Sequence, residues 1–154
     1  CNFAQGSLGY ATAAAMGAAK ASPDSTIVHI TGDGSFGFCA GEYETLARIG
    51  GNIKVILINN HSFGWIRVSN DMVYGNEPFA TEFADIDYVK IVEGFGIPAA
   101  RLAEGDSLKD RLKELFAEDG VAFLEVVCAP EDKCVPPVPG WAEKAREKGM
   151  KNHY

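Results

Sequence analysis

The amino-acid sequence predicts an α/β fold of the doubly wound class, with a mostly parallel central sheet and helices on both faces. Short β-rich runs alternate with helical segments along the 154 residues, an order that is typical of parallel strands joined by helices. The run Ile53–Ile58 (IKVILI) is almost continuously apolar, as expected for a strand that is buried on both of its faces. Ligands of such sheets bind outside the carboxyl ends of the strands, so we expect the functional site at that edge.

The first half of the chain contains the clearest signals for individual elements. Residues 10–21 are rich in alanine, which has the strongest helix propensity, and they predict a helix with little side-chain bulk. Thr26–Thr31 (TIVHIT) is a short β-rich run that ends at Gly32, and it predicts a strand. Residues 42–49 predict a helix, because a pair of glycines closes the segment.

The second half predicts two more helices and two more strands. Residues 107–117 have apolar side chains at helical spacing, with Ser107 and Asp110 as a capping box. The remaining predicted elements are a helix within 85–95 capped by Asp85 or Asp87, a short strand at 100–103, and a strand at 122–128 (AFLEVVC).

Composition and charge fit one compact domain and argue against several classes of function. The chain is 47% hydrophobic and carries a formal net charge of −7, without a cluster of basic residues. An acidic domain of this kind is not expected to bind nucleic acid or an anionic membrane. No apolar run approaches the roughly 20 residues of a membrane span. The four cysteines are scattered and contain no C-x-x-C pair, so we expect neither a disulfide scaffold nor a zinc site. We expect a cytoplasmic location, where cysteines stay reduced.

Prolines after Ala129 divide the chain into two parts. We expect residues 1–129 to form the ligand-binding domain. We expect residues 130–154 to form a C-terminal tail that packs on that domain and ends in a short solvated helix. The chain starts with Cys1 and not with methionine, so we also expect an N-terminal segment to be missing.

The most informative stretch is the glycine-rich hexapeptide Gly32–Gly37 (GDGSFG), which follows the first predicted strand. Glycines let a backbone approach a ligand closely, and N–H groups at the start of a helix bind anions, so we expect a phosphate group there. The hexapeptide also matches the dinucleotide fingerprint G-x-G-x-x-G. Against that assignment, a helix precedes the strand, the next strand ends in two asparagines, and Asp33 would repel a bare pyrophosphate.

The distribution of charge points to a divalent cation beside this loop. No Lys or Arg lies between Lys20 and Arg48, so no basic side chain nearby in sequence neutralises a phosphate. Mg²⁺ prefers oxygen ligands, which Asp33 and the amide of Asn60 can supply from the carboxyl ends of neighbouring strands. The alternative is that Asp33 is an ordinary loop carboxylate and that Asn60 caps the end of a strand.

These residues resemble a known family. The sequence Gly-Asp-Gly-Ser, followed 27 residues after its aspartate by the second asparagine of Asn-Asn, resembles the thiamine-diphosphate motif. The resemblance extends upstream to Gly6–Tyr10 and downstream to Phe83–Gly96 (FADIDYVKIVEGFG), and it covers roughly residues 3–130. The chain resembles the C-terminal diphosphate-binding domain of acetolactate synthase, pyruvate oxidase and benzoylformate decarboxylase. This resemblance implies the thiamin diphosphate-binding fold.

The resemblance implies a role for each matching residue. Asp33 and the Asn60 side chain would bind Mg²⁺, with the carbonyl oxygen of Ser62 as the third protein ligand. Leu8 would lie under the bent cofactor, where acetolactate synthases usually have Met and where Leu is similar to benzoylformate decarboxylase. The residues implied in binding thiamine diphosphate are Gly6, Ser7, Leu8, Gly32, Gly34, Ser35, Phe36, Phe63, Gly64, Trp65 and Ile66.

The resemblance also implies a reaction and partners. The chain would be the thiamine-diphosphate- and Mg²⁺-binding domain or subunit of an acetolactate synthase-like 2-oxo acid decarboxylase or carboligase. In that family the activating glutamate lies on a separate pyrimidine-binding domain, and no Glu of this sequence sits in a matching motif. The chain would therefore form half of an active site in a homo- or hetero-oligomer, act on a small 2-oxo acid, and be inactive alone.

Two alternatives stay open on the sequence. One is the thiamine subunit of a 2-oxo acid:ferredoxin oxidoreductase, although the cysteine spacing does not supply an iron–sulfur cluster. The other is a non-catalytic dinucleotide-binding module that uses G-x-G-x-x-G.

Four further side chains near the predicted site have their own interpretations. His29 alternates within a strand and predicts a core histidine whose hydrogen bonds are satisfied. His61 follows Asn60 and is interpreted as a loop residue, with a proton shuttle as the alternative. Cys39 is interpreted as small core filler, and Trp65 as either a substrate wall or a packing residue.

Overall fold

The computed structural model describes residues 6–71, 79–130 and 139–147. The chain divides into two compact units, which are described separately. The first unit comprises Cys1–Asn59 with Asp87–Val127, and the second comprises Asn60–Ile86 with Cys128–Tyr154. Among the described residues, no helix is both long and apolar enough to cross a membrane.

A parallel sheet forms the centre of the first unit. Its strands are β1 (Ile27–Gly32), β2 (Ile53–Asn59), β3 (Ala99–Arg101) and β4 (Ala122–Val127), and they lie in the order β1-β2-β4-β3. All three pairings are parallel. The predicted α/β class with a parallel sheet is therefore confirmed, and each strand lies within one or two residues of its predicted bounds.

The strand register aligns the ends of the sheet. Gly32 pairs with Ile58 at the end of β1, and Asn59 pairs with Val127 at the end of β2. Because parallel strands run in the same direction, their carboxyl ends lie along one edge. Asp33 therefore leaves β1 at the edge where β2 ends.

Five helices of the first unit connect and flank the strands. The predicted helices at 10–21 and 42–49 are confirmed. The helix predicted within 85–95 is also present, and Asp87, one of its two predicted caps, accepts a hydrogen bond from the Lys90 N–H at 3.3 Å. The helices are α1 (Tyr10–Ala21), α2 (Asp33–Gly37), α3 (Glu42–Ile49), α5 (Tyr88–Glu93) and α6 (Leu108–Ala117), and α4 (Gly64–Ser69) belongs to the second unit.

Aromatic side chains fill the core on one face of the sheet. The ring of Phe36 on α2 lies 4.7 Å from that of Tyr43 on α3 and 5.1 Å from that of Tyr88 on α5, centroid to centroid. Phe123 on β4 completes the cluster at 6.3 Å from Phe36. Such tilted and edge-on pairs are favourable ring geometries, and the cluster anchors α2 to the sheet directly beside Asp33.

The opposite face of the sheet is covered unevenly. Helix α6 buries Leu115 against Leu124 of β4, with Ile56 of β2 at the rim of the cluster. On β1, by contrast, the side chains of Val28 and Ile30 are 47% and 63% exposed. Helices therefore lie on both faces, as predicted, but β1 keeps an apolar surface open to solvent.

The second unit contains two short chain segments that pair with each other. Ser62 forms an antiparallel bridge with Glu82, and the rings of Phe63 and Phe83 pack edge to face at 4.6 Å. Arg67 on α4 donates a hydrogen bond to Glu82 at 2.6 Å. In the predicted C-terminal tail the structure has helix α7 (Pro139–Glu147), whereas residues 131–138 and 148–154 lie outside the described residues.

Tyr43 provides a test of the core. Its side chain is fully buried, and its hydroxyl has no hydrogen-bond partner among the described residues. We expect Tyr43→Phe to leave the free energy of unfolding unchanged or to raise it by up to about 1 kcal/mol, because it removes an unsatisfied polar group. Leu46→Ala, in the same helix, should lower it by about 2–5 kcal/mol. Urea denaturation measures both, and a clear loss of stability in Tyr43→Phe would contradict the packing described here.

Candidate functional site

Asp33 lies where β1 passes into α2. Gly32 ends the strand, and Asp33 begins the helix, with its side chain 5% exposed. Its carboxylate oxygen Oδ1 accepts a hydrogen bond from the Gly34 N–H at 2.8 Å. The hexapeptide predicted as a loop is thus a short helical turn that holds a buried carboxylate at the carboxyl edge of the sheet.

The negative charge of Asp33 affects the pKa of Tyr88 on α5. Burial, together with the negative charges of Asp33 and Glu125, raises the pKa of Tyr88 to about 12. Two buried carboxylates thus act on this part of the first unit.

Ser35 connects the hexapeptide to the start of α1. Its hydroxyl oxygen accepts a hydrogen bond from the Gly9 N–H at 2.8 Å. Gly9 has a φ of 82°, in the left-handed region that favours glycine, and a Cβ there would lie 3.6 Å from Cys39. The predicted residues Gly6, Ser7 and Leu8 immediately precede this contact, so the first unit brings the two predicted cofactor segments together, with Leu8 45% exposed.

Phe36 lies in the core. Its side chain is 2% exposed and packs in the aromatic cluster of the first unit. Only its backbone could therefore face a ligand. Gly34 is also buried, whereas Gly32 and Ser35 are partly buried.

Asn60 and Ser62 form a tight turn at the start of the second unit. The Asn60 side-chain oxygen Oδ1 accepts hydrogen bonds from the Ser62 N–H at 3.1 Å and the Ser62 hydroxyl at 3.5 Å. Between them, His61 has a φ of 58°, which is uncommon for a residue with a side chain. Both polar side chains are buried, and the strained backbone between them is of the kind that clusters at functional sites.

The remaining predicted residues continue into α4. Phe63 packs against Phe83, and Gly64 is buried at the first position of the helix. Trp65 and Ile66 are each 51% exposed, so they present apolar surface that could contact a ligand or another protein.

Sequence reasoning missed a buried hydrogen-bond network at the same edge of the sheet. Glu125 on β4 is fully buried, and its Oε1 accepts a hydrogen bond from the Asn59 side-chain amide at 2.7 Å. Its Oε2 accepts from Arg101 Nε at 2.7 Å, and Arg101 also reaches Asp87 at 3.4 Å. A glutamate inside an otherwise apolar strand (AFLEVV) was the signal that could have revealed it.

A second polar group lies beneath the hexapeptide. The Thr12 hydroxyl lies 3.5 Å from His29 Nε2 and 3.1 Å from the Cys39 sulfur, and that sulfur donates to the Ser35 carbonyl at 3.4 Å. His29 is 2% exposed, as predicted for a core histidine, but its Nδ1 has no hydrogen-bond partner among the described residues, so the expectation that its hydrogen bonds are satisfied is wrong for this atom. Cys39 therefore links α1 to the hexapeptide.

The described residues contain no cluster of three or more His, Cys, Asp or Glu side chains able to hold a metal ion. The predicted metal ligands are instead one carboxylate, one amide oxygen and one backbone carbonyl. Such a set of hard oxygen donors suits Mg²⁺, which typically takes one or two carboxylates and completes its shell with phosphate oxygens and water.

Comparisons with known proteins identify the family. A family model described as thiamine pyrophosphate enzyme, C-terminal TPP binding domain, matches residues 2–126. The chain is 36% identical over 135 residues to the mitochondrial acetolactate synthase catalytic subunit of Aspergillus candidus, and this match covers 88% of the chain and 20% of the relative. It is 32% identical to the chloroplastic acetolactate synthase 2 of Brassica napus, over 87% of the chain and 22% of the relative.

A solved structure agrees with these relatives. It belongs to a proposed thiamin diphosphate-dependent enzyme from Mycobacterium smegmatis, with a TM-score of 0.67 and 27% identity. The match covers 81% of the chain and 23% of the solved chain. The chain therefore spans only about a fifth to a quarter of the length of the proteins it matches.

His29 predicts a pH dependence of stability. Burial lowers its pKa from 6.5 to about 4, so the unfolded chain takes up the proton first as the pH falls. The stability that depends on neutral His29 is therefore present above pH 6.5 and is lost between pH 6.5 and 4, by up to about 3 kcal/mol. Urea unfolding across this range should show a shallower pH dependence for His29→Gln than for the unsubstituted protein. Equal slopes for the two proteins would contradict this role of His29.

Proposed function

We infer the role of this chain from the family to which it belongs, the thiamine pyrophosphate enzymes, whose C-terminal TPP binding domain it matches. Thiamine diphosphate, the cofactor predicted from the sequence, is confirmed by this membership. We propose that the chain holds the diphosphate of that cofactor through Mg²⁺, as one half of the active site of an acetolactate synthase-like enzyme. The identity to acetolactate synthases over most of the chain supports this reaction class.

The observation that carries the proposal is the buried carboxylate of Asp33 at the carboxyl edge of the sheet. An ionised carboxylate that is 5% exposed is costly unless hydrogen bonds or a cation compensate it. The Gly34 N–H supplies one hydrogen bond at 2.8 Å. A divalent cation bound to Asp33 would add charge compensation and would also attract a diphosphate.

Asn60 and Ser62 are proposed as the other protein ligands. An amide oxygen carries two lone pairs, so a metal ion that displaces the Ser62 hydroxyl, at 3.5 Å, could be bound by Asn60 Oδ1 while the bond from the Ser62 N–H is kept. The left-handed backbone of His61 makes this turn, and it gives the loop a fixed shape before any ligand binds. The carbonyl oxygen of Ser62 is the proposed third ligand.

The other predicted residues are proposed to contact the organic cofactor. Gly32, Gly34 and Ser35 would face the diphosphate, while Gly6, Ser7 and Leu8 would offer backbone and side-chain contacts to the aminopyrimidine. The hydrogen bond between Ser35 and Gly9 supports the proposal that both segments contact the same cofactor, because it joins them. Phe36, by its backbone, and Phe63, Gly64, Trp65 and Ile66 would border the diphosphate and the substrate.

Bound thiamine diphosphate would supply the carbon nucleophile and electron sink for breaking or forming a bond next to a 2-oxo acid carbonyl. The residues of this chain would bind and orient the cofactor, and the half-exposed Trp65 and Ile66 would shield it from water. The family match favours this function over the dinucleotide-binding alternative.

The partners of the chain are part of the proposal. A pyrimidine-binding domain, fused or separate, would supply the activating glutamate, and the active site would form in a homo- or hetero-oligomer. We propose residues 1–129 as the cofactor-binding domain and residues 130–154 as a tail packed on it. A cytoplasmic location is likewise proposed, although two relatives carry mitochondrial and chloroplastic names.

Replacing Asp33 tests the metal site. We expect Asp33→Ala and Asp33→Asn to weaken Mg²⁺-dependent binding of thiamine diphosphate at least about 100-fold, because both remove the anionic ligand. Isothermal titration of the chain with thiamine diphosphate, with Mg²⁺ and with EDTA, measures the effect. Asp24→Ala, at an exposed position, is the matched control and should bind as the unsubstituted chain does. Binding of NAD without Mg²⁺ that survives Asp33→Ala would instead favour a dinucleotide module.

The chain alone should show negligible decarboxylase activity. The activating glutamate is expected on another domain, so thiamine diphosphate bound to this chain would lack its proton relay. A coupled assay of pyruvate decarboxylation with the purified chain, Mg²⁺ and thiamine diphosphate measures this. Robust turnover by the chain would show that the missing half of the site is not required.

A further inference from the structure

We propose that Glu125 is a positioning residue for the metal-binding loop, acting through the side chain of Asn59. The inference rests on the proposed function, since it concerns the segment that would hold the metal ion. Asn59 is the last residue of β2, and Asn60, the proposed ligand, is the next residue of the chain. Whatever fixes the end of β2 therefore also fixes where the loop begins.

The contact between Glu125 and Asn59 ties two strands together at their carboxyl ends. Glu125 pairs in register with Leu57, two residues before Asn59, so the side chains of Glu125 and Asn59 lie on the same face of the sheet. Glu125 Oε1 accepts from the Asn59 amide Nδ2 at 2.7 Å, and both side chains are buried. A strand end that could otherwise fray is thus tied to the next strand by a short hydrogen bond to a charged group.

The second oxygen of Glu125 is held as well. Arg101, opposite Glu125 on β3, donates from Nε to Oε2 at 2.7 Å, and its guanidinium also reaches Asp87 at the start of α5. The carboxylate is therefore fixed from two sides, and it cannot turn away from Asn59 without losing the ion pair. Glu125 on β4 is thus bonded to side chains of β2 and β3, and Arg101 extends the network to Asp87.

Stability alone does not explain a carboxylate at this position. Well-packed apolar residues of similar size often replace a buried ion pair without loss of stability. A carboxylate that aims one oxygen at the residue before a proposed metal ligand has a second use, because partners behind metal ligands typically change metal affinity about 10- to 100-fold. This places Glu125 among the groups that set metal affinity without touching the metal.

Two single substitutions and one exchange test the proposal in the 154-residue chain. Glu125→Gln turns one acceptor into a donor, so it faces two donors, Asn59 and Arg101, with one oxygen. Asn59→Ala breaks the same hydrogen bond from the other side and leaves the ion pair with Arg101 intact. The double variant Glu125→Gln with Asn59→Asp reverses donor and acceptor, and restores one hydrogen bond to each partner at unchanged net charge.

Binding and structure are read separately. Titration with thiamine diphosphate at several Mg²⁺ concentrations gives the Mg²⁺ dependence of affinity, and ¹⁵N–¹H spectra of the ligand-free chain report the Asn59 side-chain amide. We expect both single variants to need about ten times more Mg²⁺ for half-saturation and the double variant to recover most of this loss. In Glu125→Gln, the chemical shift of the Asn59 side-chain amide should change before any ligand is added. Glu114→Gln, which alters an exposed ion pair with Arg111, is the matched control and should change neither reading.

The outcomes separate this inference from the proposed function. If the unsubstituted chain shows no Mg²⁺-dependent binding, the proposed function fails and the inference fails with it. If that chain binds but Asn59→Ala and the folded Glu125→Gln bind with the same Mg²⁺ dependence, the inference alone is overturned. Should Glu125→Gln fail to fold, the result with Asn59→Ala decides, because that variant keeps the ion pair. A loss of affinity that follows thermal stability across all variants would also overturn the positioning role.

Discussion

The parallel pairing of β1 with β2 is the constraint on which the rest of the site depends. It sets Gly32 opposite Ile58, so the first strand ends beside the last residues of the second. Asp33, which follows β1, and Asn59, which ends β2, therefore lie at the same edge of the sheet. A register shift of one residue would turn every side chain of the shifted strand to the opposite face and would bury the wrong groups.

Acidic groups at this edge are compensated in different ways. Glu125 is held by the Arg101 guanidinium and the Asn59 amide, and it belongs to the protein's own network. Asp33 receives a backbone N–H from Gly34, and it is the group for which we propose an external cation. In the Asn59-Asn60 pair, the first asparagine bonds to Glu125 and the second to Ser62, so two identical residues in succession have distinct tasks.

The fold class and most elements could be predicted from the sequence, because hydrophobic periodicity, caps and glycines act locally. The strands and the helices at 10–21 and 42–49 followed from such signals. The helical turn of Asp33–Gly37 could not be predicted, since two glycines disfavour a helix and the aromatic packing of Phe36 stabilises it from a distance. The hydrogen-bond partners of Glu125 could not be predicted either, because they lie on strands that become neighbours only when the sheet has formed.

The uncovered side of β1 has a practical consequence for work with the chain. Val28 and Ile30 expose apolar side chains on β1, which lies at one edge of the described sheet. Such surfaces promote aggregation when protein is concentrated, and charge repulsion between molecules opposes it. Colloidal stability should therefore decline as the solution approaches the isoelectric point near 4.9, so crystallisation or spectroscopy at high concentration favours neutral or mildly alkaline buffers of low ionic strength.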